Sequence, residues 1–418
     1  MAHSSNRTRV VVTGIGAVSP LGLTVSDLWE GLKAGKSGIA PLTLCDPVGY
    51  PCTIGGEVRG FDPSNYMDAK EVKRLARFSQ LAVAATKEAI ADARLDIAKE
   101  DSDRVGMLVG CGSGGLPETE AQARVLVARG GLRMSPFFIP QMLVNMAAAN
   151  ISRLYGATGY TNTCVTACAA GTQAIGEATE VIRRGGADVV ITGGTEAGIS
   201  LIGMGGFCTI GALTKRNDAP TKASRPFDKD RDGFAPAEGA GMLILESLEH
   251  AQARGARIHA EIIGWGVTSD AFHLVQPHSE GLGAAKCMAN ALRDAGISTA
   301  DVDYINAHGT STPINDAIET MAIKKTFGER AKSVPVSSTK SMIGHALGAS
   351  GALEAIASIK TIEDGIIHPT VNQETPDPAC DLDYVPNLAR KADVRVVLSN
   401  SFGFGGQNAC VVIQRFER

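Results

Sequence analysis

Short β-branched runs alternate with longer amphipathic stretches from one end of this chain to the other, and few folds accept that alternation. Strand candidates are RVVVTGIG (9–16), DRVGMLVG (103–110), ADVVITGG (187–194), GMLILE (241–246), AEIIGWG (260–266), VDYINAHG (302–309), VRVVLSN (394–400) and ACVVI (409–413). Helical patterns lie between several of them, including KRLARFSQLAVAATKEAIADA (73–93) and AAGTQAIGEATEVIRR (169–184). The alternation predicts an α/β protein with mostly parallel, buried strands. A weak internal echo joins the two ends of the pattern. AAGTQAIGEATEVIRRGG precedes the strand ADVVITGG, and GASGALEAIASIKTIEDG (348–365) precedes VRVVLSN. Both helices open in small residues, where backbone or ligand can come close. A soft boundary falls between residues 250 and 260, dividing the chain into halves 1–255 and 256–418.

Composition narrows the function classes. A net charge of −4 disfavours a general nucleic-acid binder, which needs a basic surface. Nine cysteines without paired C-x-x-C motifs suggest neither a disulfide framework nor a structural zinc site, and reduced thiols in a cytoplasmic setting are expected. The opening MAHSSNRTR leads directly into VVVTGIG without a leader's apolar region, and no apolar run has a membrane span's length.

Four segments carry chemistry. Cys168, in TNTCVTACAAGTQAIG, stands where a helical period begins, with Ile175, Ala178, Val181 and Ile182 on one face. A thiol at a helix N-terminus is expected to favour thiolate, and the free N–H groups there can hold an oxyanion. A buried inert cysteine explains the segment equally well, and Cys164 is a second candidate without the small flanking residues. His308 ends VDYINAHG, and Thr312 with Pro313 reads as the start of the next helix. That puts His308 on a loop at a strand's carboxyl end. His345 lies five residues after Lys340 in SSTKSMIGHALGASG, and a nearby lysine opposes its protonation. GFGGQN (403–408) reads as a tight turn. The bland readings stay open for each: a structural histidine, a solvated lysine and an ordinary hairpin.

Taken together, VVVTGIGAVSPLG, SPFFIP, TACAAG, SRPFDKDRDGF, EGAGMLILE, NAHGTSTPINDAIE, SSTKSMIGHALGASGALE and NSFGFGGQN resemble the β-ketoacyl-acyl carrier protein (ACP) synthases in order and spacing. The likeness is greatest to the type II elongating condensing enzymes. It implies a thiolase-like fold, two similar βαβαβαββ halves in five alternating layers, usually as a homodimer. It implies a catalytic Cys168, His308 and His345, the nucleophile in the first half and both histidines in the second. Lys340 would support them with Glu319 as its carboxylate partner. Phe404 would gate the site and share an oxyanion hole with the Cys168 N–H. Thr310 and Thr312 would hold the phosphopantetheine arm, and Ser113 and Phe138 would shape the acyl pocket. The implied reaction is decarboxylative Claisen condensation of malonyl-ACP with an acyl group on Cys168, without cofactor or metal.

Carrier docking has a correlate in Lys70, Lys73 and Arg74, which with Arg77 share one face at helical spacing, although such a run also suits a solvated surface. Gln407 departs from the Thr or His common in the family's Gly-rich loop, and Gly211 replaces a docking arginine, shifting attention to Lys215 or Arg216. A discrete polyketide ketosynthase is the rival within the family. A non-catalytic chain-length factor would lack the nucleophile that this chain keeps. A degradative thiolase would carry a second cysteine in the C-terminal Gly-rich loop.

Overall fold

Val10–Val18 (β1) is buried at all nine positions, as expected of a continuous apolar run covered on both faces. In the computed structural model, which describes residues 7–417, β1 begins a pattern that the chain runs through twice. The first pass continues with helix Arg77–Ala93 (α1), Val105–Gly110 (β2), helix Met146–Tyr155 (α2), Thr161–Cys164 (β3), helix Ala170–Arg183 (α3), Val189–Glu196 (β4) and Gly239–Ser247 (β5). The second runs Ala260–Ser269 (β6), helix Leu282–Ala295 (α4), Tyr304–Asn306 (β7), helix Pro313–Phe327 (α5), Val336–Ser337 (β8), helix Ser350–Asp364 (α6), Val396–Gly403 (β9) and Gln407–Gln414 (β10). Each pass is βαβαβαββ. Residues 1–6, on which the reading of the N-terminus partly rests, lie outside the described residues.

The strands form a ribbon in the order β8-β7-β9-β10-β6-β1-β5-β4-β2-β3. In each half the fourth strand pairs in parallel with the second, and the second with the third. The first and fourth strands both pair antiparallel with the fifth. The sheet is therefore mixed, correcting the expectation of mostly parallel strands. The crossover helices enforce the parallel pairs, whereas β9 turns back directly into β10. Among the described residues, strands of the two halves pair only where Val11 and Val12 of β1 face Glu261 and Ala260 of β6.

Helices complete the layers. α1 and α2 cover the outer face of the first half, and α4 with α5 cover the second. α3 and α6 lie between, in contact with both halves. A helix enclosed by two sheets must be apolar or small all round, and α6 (SGALEAIASIKTIED) is buried at twelve of its fifteen positions. Among the described residues no helix is long and apolar enough to cross a membrane.

Two details differ from the sequence reading. β3 (TNTC) and β8 (two residues) are too short and polar to register as strands. The helix read from Lys73 is broken. Ala69–Arg74 ends at an extended Leu75 (φ −89°, ψ 136°), and α1 starts at Arg77. Arg77 consequently leaves the basic face and forms an ion pair with buried Glu238 at 2.7 Å.

Candidate active site

The ends of the central strands converge on one cavity. After β3 the chain turns through Ala167–Ala169 into α3, with Ala167 in the left-handed region at φ +49°. This turn presents Cys168 at the cavity wall, 5% exposed. Thr172 in the first turn of α3 bonds Ser401 of β9 at 2.7 Å, fixing the helix against the second half. His308 follows β7, and Thr312 caps α5 by accepting from Asn315 N–H, as the sequence predicts. The β9–β10 turn reaches the same place. Gly403 is so close that a Cβ there would sit 2.7 Å from the Thr166 carbonyl and 3.2 Å from the Cys168 nitrogen. Cys168, His308, His345, Phe404, Thr310 and Thr312 all line this cavity of about 280 Å3.

The two imidazoles stand edge to face, ring centres 5.3 Å apart. Lys340 is completely buried behind them, and its amine has three acceptors: the His308 carbonyl at 2.7 Å, His308 Nδ1 at 3.3 Å, and Glu354. An ammonium has three protons. With all three engaged, Nδ1 of His308 accepts, and its proton sits on Nε2. His345 Nδ1 meets Ser350 Oγ at 3.0 Å, and Phe234 packs edge-on against its ring at 5.1 Å. Burial first, and then the Lys340 charge, hold both histidines well below the ordinary imidazole value, so they are neutral at physiological pH.

Cys168 behaves differently from the sequence expectation. Burial pushes its thiol up to about 12, against the pull of Lys340 and of the N–H groups of Phe404 and Cys168 itself. It rests as a thiol, because desolvation outweighs the helix end. The same two N–H groups nevertheless converge on the sulfur, the arrangement an oxyanion hole requires. Cys164 is buried at the end of β3 and does not line the cavity.

One assignment needs correction, and other expected positions fall outside this cavity. The carboxylate that holds Lys340 is Glu354, not Glu319. Glu319 instead accepts the N–H groups of His308 and Gly309, each at 2.8 Å, and burial lifts it to about 7. Ser113 and Phe138 lie outside the cavity. Ser113 is hydrogen-bonded to Glu196, and Phe138 starts a short surface helix between exposed Phe137 and Ile139. Glu354, Leu347 and Phe234 went unnoticed in the sequence. Only Glu354 carried a signal, as the one charge among small residues opening a buried helix. Of the basic cluster, Lys70 and Lys73 are exposed, while Arg74 rests over the Phe137 ring at 5.9 Å. Lys215 is exposed as well, whereas Arg216 bonds the Asp230 carbonyl.

Comparison with known proteins agrees with this geometry. Residues 7–251 match the model of the β-ketoacyl synthase N-terminal domain, and residues 259–374 that of its C-terminal domain. A 3-oxoacyl-[acyl-carrier-protein] synthase 2 from Synechocystis is 50% identical over 98% of this chain and 99% of its own. A β-ketoacyl synthase from Burkholderia phymatum superposes with a TM-score of 0.91 at 38% identity, over 98% of this chain and all of that one. A type II polyketide ketosynthase, solved with its acyl-carrier protein and bound to a hexaketide, superposes with a TM-score of 0.89 at 36% identity, over 99% of this chain and all of that one. With both domain models matched in order and a curated relative alike over its full length, the chain belongs to the β-ketoacyl synthase family.

Proposed function

We propose that this chain extends fatty acyl groups by two carbons, condensing malonyl-ACP with an acyl group held on Cys168 and releasing CO2. The observation that carries the reading is the grouping of one thiol, two neutral imidazoles and two convergent backbone N–H groups around one cavity. In the first half-reaction Cys168 Sγ attacks the thioester carbon of acyl-ACP. The carbonyl oxygen takes negative charge beside the N–H groups of Cys168 and Phe404, the carrier thiol leaves with the proton, and a thioester remains on Cys168. In the second, malonyl-ACP loses its carboxylate as CO2. The electron pair becomes an enolate, whose oxygen is stabilised by the Nε2–H of His308 and by an N–H of neutral His345. Its carbon attacks the Cys168 thioester, the C–S bond breaks with Cys168 leaving as thiolate, β-ketoacyl-ACP departs, and a solvent proton restores the thiol. Neutral imidazoles suit this chemistry, since each presents one N–H to the enolate without a full positive charge that would hold the malonyl carboxylate.

Thr310 and Thr312, 3.0 Å apart at the cavity wall, are suited to hold the carrier's phosphopantetheine arm. Exposed Lys70 and Lys73, with Arg74, offer an acidic carrier a docking surface. The functional division is between residues 1–255, which supply the nucleophile, and 256–418, which supply both histidines. A homodimer in the cytoplasm is the setting. Assembly as a dimer is supported by helix Leu116–Arg129, which buries none of its residues, and by exposed Leu126, Val127, Leu132 and Ile139 nearby. Polyketide extension is the second reading, favoured by the structural likeness at 36% identity, whereas 50% identity to a 3-oxoacyl-ACP synthase favours fatty acyl substrates.

The test is intact-protein mass spectrometry after mixing with acyl-ACP, for wild type and Cys168→Ala, followed by malonyl-ACP. The wild type should gain one acyl mass and lose it as β-ketoacyl-ACP, and the variant should gain none. A wild type that stays unmodified with donors of every chain length would overturn the assignment.

A further inference from the structure

The duplicated halves set the chain beside Cys168 against an equivalent segment with no assigned role. β4 and β9 are fourth strands of eight residues each, so Glu196 and Gly403 end them at matching places. The turns Ala167–Ala169 and Leu347–Ala349 both lead into central helices, and both begin with a left-handed non-glycine residue, at φ +49° and +41°. Gly348 is therefore the counterpart of Cys168. In the first half, the N–H of Cys168 and that of Phe404 converge on the sulfur. In the second, the Gly348 N–H donates to the Glu196 carboxylate at 3.1 Å. Gly112 N–H at 2.9 Å, Ser113 N–H at 3.1 Å and Ser113 Oγ donate to the same carboxylate.

Glu196 is wholly buried, and no cation pairs with it among the described residues. Burial pushes its carboxyl above the ordinary value, and three backbone N–H groups and a hydroxyl, all donating to it, oppose that shift. The joint has no slack. A Cβ on Gly348 would come within 2.6 Å of the Gly112 nitrogen, and one on Gly112 within 2.7 Å of a Glu196 oxygen. The residue before Gly348 is Leu347, which lines the reaction cavity and packs in the apolar cluster that contains Cys168, Ile199 and Phe234.

We infer that Glu196 is a positioning residue: its carboxylate takes the Gly348 N–H, the counterpart of the Cys168 N–H, and thereby holds the strained Leu347 turn as a fixed wall against the Cys168 acyl group. It lies outside the reaction cavity, and the thiol it meets is that of Cys111, 4.0 Å away, not that of Cys168. The inference rests on the condensing-enzyme reading. It predicts that losing the anion blurs the orientation of the bound thioester, lowering the turnover of the condensation and leaving carrier affinity alone.

Chemical rescue tests this. Glu196→Ala opens a space for a small anion, and steady-state condensation is measured with and without formate, with formamide and sodium chloride as matched controls. The expected result is a fall in kcat of about tenfold or more at a KM within about threefold of wild type. Formate should restore most of the loss in a saturable way, and formamide, of equal size but neutral, should not. Glu196→Gln keeps the volume but turns one acceptor into a donor, and should lose kcat similarly with no response to formate. Unchanged kcat in either folded variant, or equal rescue by formamide and formate, overturns the inference. So does failure of both variants to fold, which makes Glu196 structural only. Wild type run alongside separates the two claims: if it does not condense, the proposed reaction fails instead.

Discussion

Lys340 donates to three acceptors at once, and the consequence of removing it can be worked out atom by atom. Without its amine, Glu354 is a buried carboxylate with no counter-charge, and His308 Nδ1 has no donor to keep its proton on Nε2. Lys340→Met is expected to cost about 3–5 kcal/mol in stability by denaturant titration. In whatever fraction stays folded, CO2 release from malonyl-ACP should fall by about a hundredfold, while Cys168 is still acylated. Cys168 itself should show its resting state in the pH dependence of trapping. Since burial lifts the thiol to about 12, alkylation by iodoacetamide should rise about tenfold per pH unit between about pH 7 and 10, with no plateau. A plateau near neutrality would mean that the helix end outweighs desolvation after all. The histidines add the opposite signature. Both sit well below the usual imidazole value, so CO2 release should not fall through their protonation as pH drops from about 8 to 6.

At the scale of elements, the β9–β10 turn is the part that can be tested by one methyl group. Gly403 abuts the backbone at Thr166 and Cys168, and Phe404 brings the second N–H toward the sulfur. Gly403→Ala should push the two N–H groups apart and lower kcat by about a hundredfold, with the melting temperature as control. Elements also show what the sequence disclosed and what it withheld. Long periodic helices and β-branched strands were legible because their pattern is local: Ile175, Ala178, Val181 and Ile182 share a buried face as expected. The flanking residues singled out the cysteine and both histidines but left structural readings open, and only the family resemblance joined them into one site. The partner of Lys340 could not, because Glu319 and Glu354 both lie within about one helix of it in sequence, and only the fold decides which carboxylate faces the amine. Arg77 was misjudged for a related reason. A continuous helical period hides the extended Leu75, and the buried Glu238 that attracts Arg77 is 161 residues away. The strands of TNTC and VS exist by pairing, not by propensity.

Across the whole molecule, charge is buried at junctions, and one of these makes stability depend on pH. His250 lies between Glu246 at 2.6 Å and Glu100 at 2.9 Å, tying the helix after β5 to the edge of the first half. Its bond to Glu246 raises it from 6.5 to about 9. The folded chain thus holds this proton more tightly than the unfolded chain does. The stabilisation, roughly 3 kcal/mol, is complete below pH 6.5 and is lost as pH rises through about 9. Guanidinium unfolding at about pH 6 and about pH 9.5 should show that loss, and His250→Gln should flatten it.

The ten strands run as one ribbon, yet only two residue pairs stitch its halves together. In mechanical terms that is a crack already started, so a load applied to one half cannot travel through the sheet. It passes instead through the two central helices, which touch both halves, and through the backbone bridge between Pro236 and His345, which holds the second imidazole. Rocking of one half on the other therefore acts on that bridge, and with it on the distance between His345 and Cys168.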